Sequence, residues 1–215
     1  MTQGNDERIG YWNDPAVAAD LKAASPGVSE FAREVEARLP RHCRVLELGC
    51  GPGDDASYFA EQGHLVLGLD FSEPLIAMAA QRFADQPELE FRRADITQPL
   101  HIGAESCDAV YARLSLQYFD FTTTERIFGE VFWVLRPAGS FYFLCRSTSD
   151  PFYGKGTEVA ADTYDYEGSV RHFFSRDYSL DLMEDAGFTD VEIRMGTDRF
   201  YGRPSAYVLC SGRKP

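Results

Sequence analysis

The sequence predicts an α/β domain, with a doubly wound, mainly parallel sheet covered by helices on both faces. Two observations lead there. Short apolar runs alternate with stretches of helical period along most of the chain, the pattern left by parallel strands joined through crossover helices. A glycine-rich turn in "ELGCGPGDDA", positions 47–56, follows the first apolar run and opens a helix, as ligand-binding turns of such sheets do. A chain of 215 residues suits one domain and buries a substantial core without disulfides or metal.

The elements follow in order. Val28, Phe31, Val35 and Leu39 form one helical stripe within 28–39, closed by Pro40. "CRVLELG" is the first strand, and "DASYFAEQG" behind the glycine turn is a helix ended by Gly63. "HLVLGLD" is the second strand. Ser72 then caps a helix with Pro74 in its first turn and with Leu75, Met78 and Ala79 on one face. "LEFRRAD" and "SCDAVYAR" are strands three and four. A helix around 123–135 turns Ile127, Val131, Val134 and Leu135 inward until "RPAG" breaks it, and "SFYFLCR" is strand five. From Ser147 to about Ser175 the periodicity lapses into a long Gly-, Tyr- and Asp-rich segment, read as a loop that is either functional or disordered. A helix near 176–186 stops at Gly187, and "FTDVEIRM" and "SAYVLCSG" are two strands joined by "GTDRFYGRP", close enough in sequence to pair antiparallel.

Composition narrows the function. With 34 acidic and 21 basic residues the net charge is −13, which opposes the phosphate-neutralising surface of a nucleic-acid binder. No apolar run approaches the ~20 residues of a membrane helix, and the polar, acidic start "MTQGNDERIGYWND" does not read as a secretory signal. The expectation is a cytoplasmic protein, monomer or homodimer, acting on a small molecule, with neither nucleic acid nor membrane as partner. The five cysteines are dispersed with no C-x-x-C pair, so no metal site is expected; all but Cys50 lie in or beside apolar runs.

The glycine turn is the sharpest signal. Gly49, Gly51 and Gly53 read G-x-G-x-G, whereas the dinucleotide fingerprint reads G-x-G-x-x-G and seats a pyrophosphate at the helix N-terminus. Asp54 and Asp55 occupy that N-terminus, where they suit the helix dipole but repel a second anion. A ligand with positive charge fits better.

On these residues the chain resembles the class I S-adenosylmethionine-dependent methyltransferases of the small-molecule type, whose first motif is acidic-x-G-x-G-x-G after the first strand. The likeness runs by motif from about Val45 to Phe143. It implies a Rossmann-like seven-stranded sheet of order 3-2-1-4-5-7-6 with the last strand antiparallel, S-adenosyl-L-methionine as cofactor and S-adenosyl-L-homocysteine as product. It further implies that Glu47, with Gly49, Cys50, Gly51 and Gly53, holds the amino-acid end of the cofactor, that Asp70 beside Phe71 accepts the ribose hydroxyls, and that Asp95 with Ile96 meets the adenine. These acids stand at carboxyl ends of strands, the edge where open α/β sheets bind ligands.

The acceptor side is read less directly. One domain spans 1–215: N-terminal helices or a lid over 1–40, a cofactor core over 41–146, an acceptor-side insertion over 147–175 and a C-terminal helix with a strand pair over 176–215. Tyr11 and Trp12 either pack on the surface or fold over the cofactor, where an aromatic face attracts the sulfonium. Arg113 to Leu116 are read as contacts of the methionyl portion, and Gln117 and Tyr118 either face the acceptor or start a helix. The insertion offers Tyr153, Lys155 and Arg171 as substrate contacts, the two cations either binding an anionic acceptor or coating a loop. His172 is the candidate general base, or else a packed histidine beside two phenylalanines. The expected reaction is methyl transfer to an O, N or S atom. A non-catalytic S-adenosylmethionine-binding domain and a nicotinamide-dependent oxidoreductase are the rivals.

Overall fold

The computed structural model describes residues 10–24 and 27–215. The expectations for the first nine positions therefore lie outside the described residues. Two helices, α1 (Pro15–Ala24) and α2 (Glu30–Glu36), precede a βα series of β1 (Arg44–Leu48), α3 (Asp54–Glu61), β2 (Leu65–Asp70), α4 (Glu73–Arg82), β3 (Leu89–Arg93) and β4 (Cys107–Arg113). A single 3₁₀ turn at Leu116–Tyr118 leads into α5 (Phe121–Val134) and β5 (Leu135–Arg146). Three short strands follow, β6 (Thr157–Ala160), β7 (Thr163–Tyr166) and β8 (Ser169–His172), and then α6 (Arg176–Asp185), β9 (Thr189–Phe200) and β10 (Arg203–Arg213).

The main sheet has seven strands in the order β3-β2-β1-β4-β5-β10-β9. Counted along the sheet's own strands, that is the expected 3-2-1-4-5-7-6. Strands β1 to β5 pair parallel, and β10 runs antiparallel to both neighbours. Successive residues of a strand alternate faces, so each central strand feeds two cores. Leu46, Leu48, Val110, Ala112, Phe141, Phe143 and Cys145 join Ile127, Phe128 and Val131 of α5 and Leu182 and Met183 of α6. Val45, Ala109, Tyr111, Tyr142 and Leu144 join Phe31, Ala32 and Val35 of α2 and Ala56 and Phe59 of α3. Ser72 caps its helix as expected, and Ser29, Asp120 and Ser175 do the same for theirs, each accepting a backbone N–H of the first turn.

Leu135 and "RPAG", read as the end of a helix and a break, belong to β5, which begins at Leu135. Two later segments depart further from the sequence reading. The 147–175 insertion is not an irregular loop: β6, β7 and β8 form a separate antiparallel sheet in the order β6-β7-β8. The pattern was hidden because β6 is exposed along its whole length, leaving no apolar alternation to see. The link "GTDRFYGRP" is not a loop either. Strands β9 and β10 run through it until Phe200 pairs with Arg203, leaving only Tyr201 and Gly202 as the turn.

Among the described residues no helix is long and apolar enough to cross a membrane. Phe128 is fully buried and meets Phe141 and Phe143 edge-on at 5.1 and 5.4 Å. Truncation to alanine removes a whole ring from a core with no slack, so Phe128→Ala is expected to lower the unfolding free energy by about 3–5 kcal/mol in urea titrations.

Candidate active site

The carboxyl ends of β1, β2 and β4 meet at the glycine turn. Its three glycines have φ of +75°, +53° and +82°, the left-handed region that side chains strain to enter. A Cβ on Gly49 would collide with the Ser115 side chain, and one on Gly53 would stand 2.6 Å from the Phe91 ring. The turn therefore presses against β4 on one side and β3 on the other. Gly49 and Cys50 donate to the Leu69 carbonyl at 2.7 and 2.9 Å, and Ser115 Oγ donates to the Leu48 carbonyl at 2.7 Å.

Asp70 organises the neighbouring backbone. Its Oδ2 accepts from Gly51 N and its Oδ1 from Ser72 N, both at 2.9 Å. Burial raises its pKa even though those amides pull it down. Asp95 accepts from Thr97 N at 2.9 Å, beside Ala94 and Ile96 on the same wall. Glu47 is 3% exposed, and its Oε2 is buried without a hydrogen bond. Its pKa lies well above the ordinary range, first through burial, then through Asp55, with Arg113 opposing.

The paired aspartates do different work from that read in the sequence. Asp54 is engaged by Lys22 Nζ at 3.0 Å and Arg82 Nη2 at 2.6 Å. Burial alone would raise its pKa, but the bonds from Arg82 and Lys22 outweigh it and hold it low. Asp55 accepts from Ser29 N, Ser29 Oγ and Tyr111 Oη at 2.7, 2.8 and 2.8 Å. The first therefore fastens α1 and α4 to the turn, and the second fastens α2 and β4. Their charges are met by protein groups, so they are not free acids awaiting a cation.

Around this turn lies a cavity. Its wall includes Glu47, Gly49, Cys50, Gly51, Asp70, Phe71, Asp95, Ile96, Arg113, Trp12 and Tyr118, so eleven of the residues singled out from sequence come together. Gly53 is not on the wall and acts in helix–sheet packing. Cys50 is buried, and burial followed by the Asp70 and Glu47 charges keeps its thiol protonated. Trp12 meets Tyr118 edge-on at 5.6 Å, and its carbonyl accepts from Ser72 Oγ at 2.6 Å. Tyr11 is 58% exposed and off the wall.

The insertion residues do not reach the cavity wall. Gln117 is buried with Oε1 accepting from Arg146 N at 2.9 Å. Tyr153 donates to Asp162 at 2.7 Å, and Lys155 lies over the Phe152 ring at 4.8 Å. Arg171 stands in β8, half-buried, with Nε lacking a hydrogen bond. His172 is buried, its Nδ1 2.8 Å from Thr163 Oγ1 and its ring edge-on to Tyr178 and Phe174. The arrangement is that of a packed histidine. The wall also includes Leu114 and Ser115, from the Arg113 to Leu116 stretch read as a methionyl contact, and Leu21, Phe119 and Tyr201, which the sequence analysis did not select. Tyr201 left one signal, an aromatic-glycine pair between two apolar strands.

Comparison with known proteins decides the family. A family model described as a methyltransferase domain matches residues 45–139. A ubiquinone/menaquinone biosynthesis C-methyltransferase of Desulfotalea psychrophila is 30% identical over 218 residues, covering 90% of this chain and 77% of that protein. The chain belongs to the class I S-adenosylmethionine-dependent methyltransferases. A second methyltransferase relative, the malonyl-[acyl-carrier protein] O-methyltransferase of Enterobacter lignolyticus, is 33% identical over 60% of this chain. This methyltransferase chain spans 52% of that relative's length, and about half of several others. Among solved structures, Haemonchus contortus phosphoethanolamine N-methyltransferase 2 in complex with S-adenosyl-L-methionine shares the fold at a TM-score of 0.79 and 16% identity, over 100% of this chain and 60% of that one.

Two tests follow from the methyltransferase site itself. Gly49→Ala is expected to lower the melting temperature and abolish ligand binding, because the added carbon has nowhere to go between the turn and Ser115. Burial lowers the His172 pKa from its ordinary 6.5, with Asp162 opposing. The unfolded chain then takes up this proton at a higher pH than the folded one, so stability is lost as pH falls through about 6.5 and below. Melting curves between about pH 7.5 and about pH 5.5 should show that loss, and His172→Gln should flatten part of the slope.

Proposed function

We propose that the chain binds S-adenosylmethionine in this cavity and transfers its methyl group to a small-molecule acceptor. One observation carries the reading: Glu47 Oε2 is a buried carboxylate oxygen with no hydrogen bond, on the wall of a cavity above a glycine turn. Such an atom is costly unless a ligand satisfies it, and an ammonium is its natural complement. Around it the donor set suits the rest of the cofactor. Each Asp70 oxygen holds one amide and keeps a lone pair for a ribose hydroxyl. Asp95 and Ile96 give an acceptor and an apolar surface for the adenine edge. The backbone at Gly49 and Gly51 lets the ligand approach closely.

The cofactor supplies a methyl group already activated on a sulfonium. What the chain adds is alignment and the exclusion of water, which account for most of the rate in a displacement of this kind. Trp12 and Tyr118 close the cavity with aromatic faces, surfaces that favour a cation. The relatives' names span carbon, oxygen and nitrogen methyl transfer. The acceptor atom is thus a property of the residues beyond the shared core.

Isothermal calorimetry with S-adenosylmethionine tests the reading. Wild type should bind, Asp70→Asn should bind at least tenfold more weakly, and Glu47→Gln should bind weakly without proton exchange. Wild-type binding should release a proton, because a neighbouring ammonium lowers the raised Glu47 pKa; affinity should fall as pH is lowered through that pKa. Absence of binding by the wild type would sink the proposal. Release of S-adenosylhomocysteine with a panel of metabolites separates an enzyme from a silent binding domain.

A further inference from the structure

The β9–β10 hairpin closes through Tyr201 and Gly202, with φ of +50° and +74°. Two positive values in a two-residue link are the type I′ geometry, which Asn-Gly or Gly-Gly fills easily and a bulky aromatic does not. A side chain kept against its backbone preference points to a task. Tyr201 lines the cavity even though it is 39% exposed at the hairpin tip. It has no counterpart in the cofactor set above.

Its neighbour is Arg113. Arg113 follows Ala109 and Tyr111 on the same face of β4 and lies over the Phe200 ring at 5.5 Å. Its other interactions are the fields of Tyr111, Asp55, Tyr201 and Glu47, with no hydrogen bond or close ion pair among the described residues. Arg113 is also on the cavity wall, and a guanidinium carries planar donors and no acceptor. Burial raises the Tyr201 phenol and Arg113 opposes, so the hydroxyl remains a donor at neutral pH.

We infer that Tyr201 and Arg113 form a carboxylate subsite at the β4 side of the cavity, with the guanidinium supplying the charge and the phenol a second donor. The inference rests on the cofactor reading above. A carboxylate is favoured over a phosphate because Glu47, Asp55 and Asp70 also line this cavity and would repel a dianion near a single cation. Two molecules can present the group: the cofactor through its amino-acid end, or the acceptor.

The experiment compares wild type, Tyr201→Phe and Tyr201→Asn by calorimetry. S-adenosylhomocysteine is titrated against its decarboxylated analogue, and benzoate against benzyl alcohol on S-adenosylhomocysteine-loaded protein. If the cofactor is the source, wild type prefers the carboxylated nucleoside, and both variants shrink that preference about tenfold, the scale of one hydrogen bond to a charged group. If the acceptor is the source, that preference stays, and both variants lose benzoate binding about tenfold. Tyr201→Asn should also melt at a higher temperature, since it relieves the turn. Variants that bind all four probes like the wild type would overturn the subsite. Wild type that binds neither S-adenosylhomocysteine nor its decarboxylated analogue would overturn the cofactor reading beneath it.

Discussion

The cavity depends on one side chain that faces two ways. Asp70 ends β2 and spends each carboxylate oxygen on a backbone amide, Gly51 in the turn behind it and Ser72 at the cap of α4. Those bonds set the path of the chain on both sides of the strand tip. The turn can then lean against β4, where Gly49 leaves no room for a Cβ beside Ser115. Because the same carboxylate is buried at the cavity wall, fold and ligand site share one group. A neutral isostere that keeps the turn is therefore a cleaner probe of binding than a truncation.

Charge is partitioned around that point. Asp54 and Asp55 belong to the scaffold, one held by Lys22 and Arg82, the other by Ser29 and Tyr111. Buried carboxylates are tolerable when so engaged. Glu47 is the exception, with one oxygen unmatched and its pKa driven up. The N-terminal helices gain from the same arrangement: Lys22 and Ser29 anchor α1 and α2 on the aspartates, which brings Trp12 and Leu21 over the opening.

Much of this was legible in the sequence. Strands β1, β2, β4 and β5 are covered on both faces, so they read as short apolar runs whatever the register. The glycines announce a turn because only they accept its φ values. What stayed hidden depends on partners distant in sequence. Asp54 looks like an unpaired acid until folding brings Lys22 from 32 positions away and Arg82 from 28. Strand β9 is an edge strand with little buried surface, so its apolar period is too weak to mark where it ends. For His172 the sequence offered two readings, and the packing against Tyr178 and Phe174 decides for the packed histidine.

The two misread segments lie at one end of the molecule for a structural reason. Parallel strands leave their carboxyl ends on one edge of the sheet, and β10, running antiparallel, begins on that edge as β9 finishes there. The β9–β10 turn and the sheet inserted after β5 are thus delivered to the cavity side of the fold. The first elements, β1 to β3, carry the glycine turn and the acids of the cavity wall, and the late hairpin adds Tyr201 to that wall. Strand β8 packs against the 3₁₀ turn that carries Tyr118, so even insertion residues off the wall act on it through one intermediate. The hairpin tip and that turn are thus the parts of the wall nearest the late elements, and the places where local sequence rules are least followed.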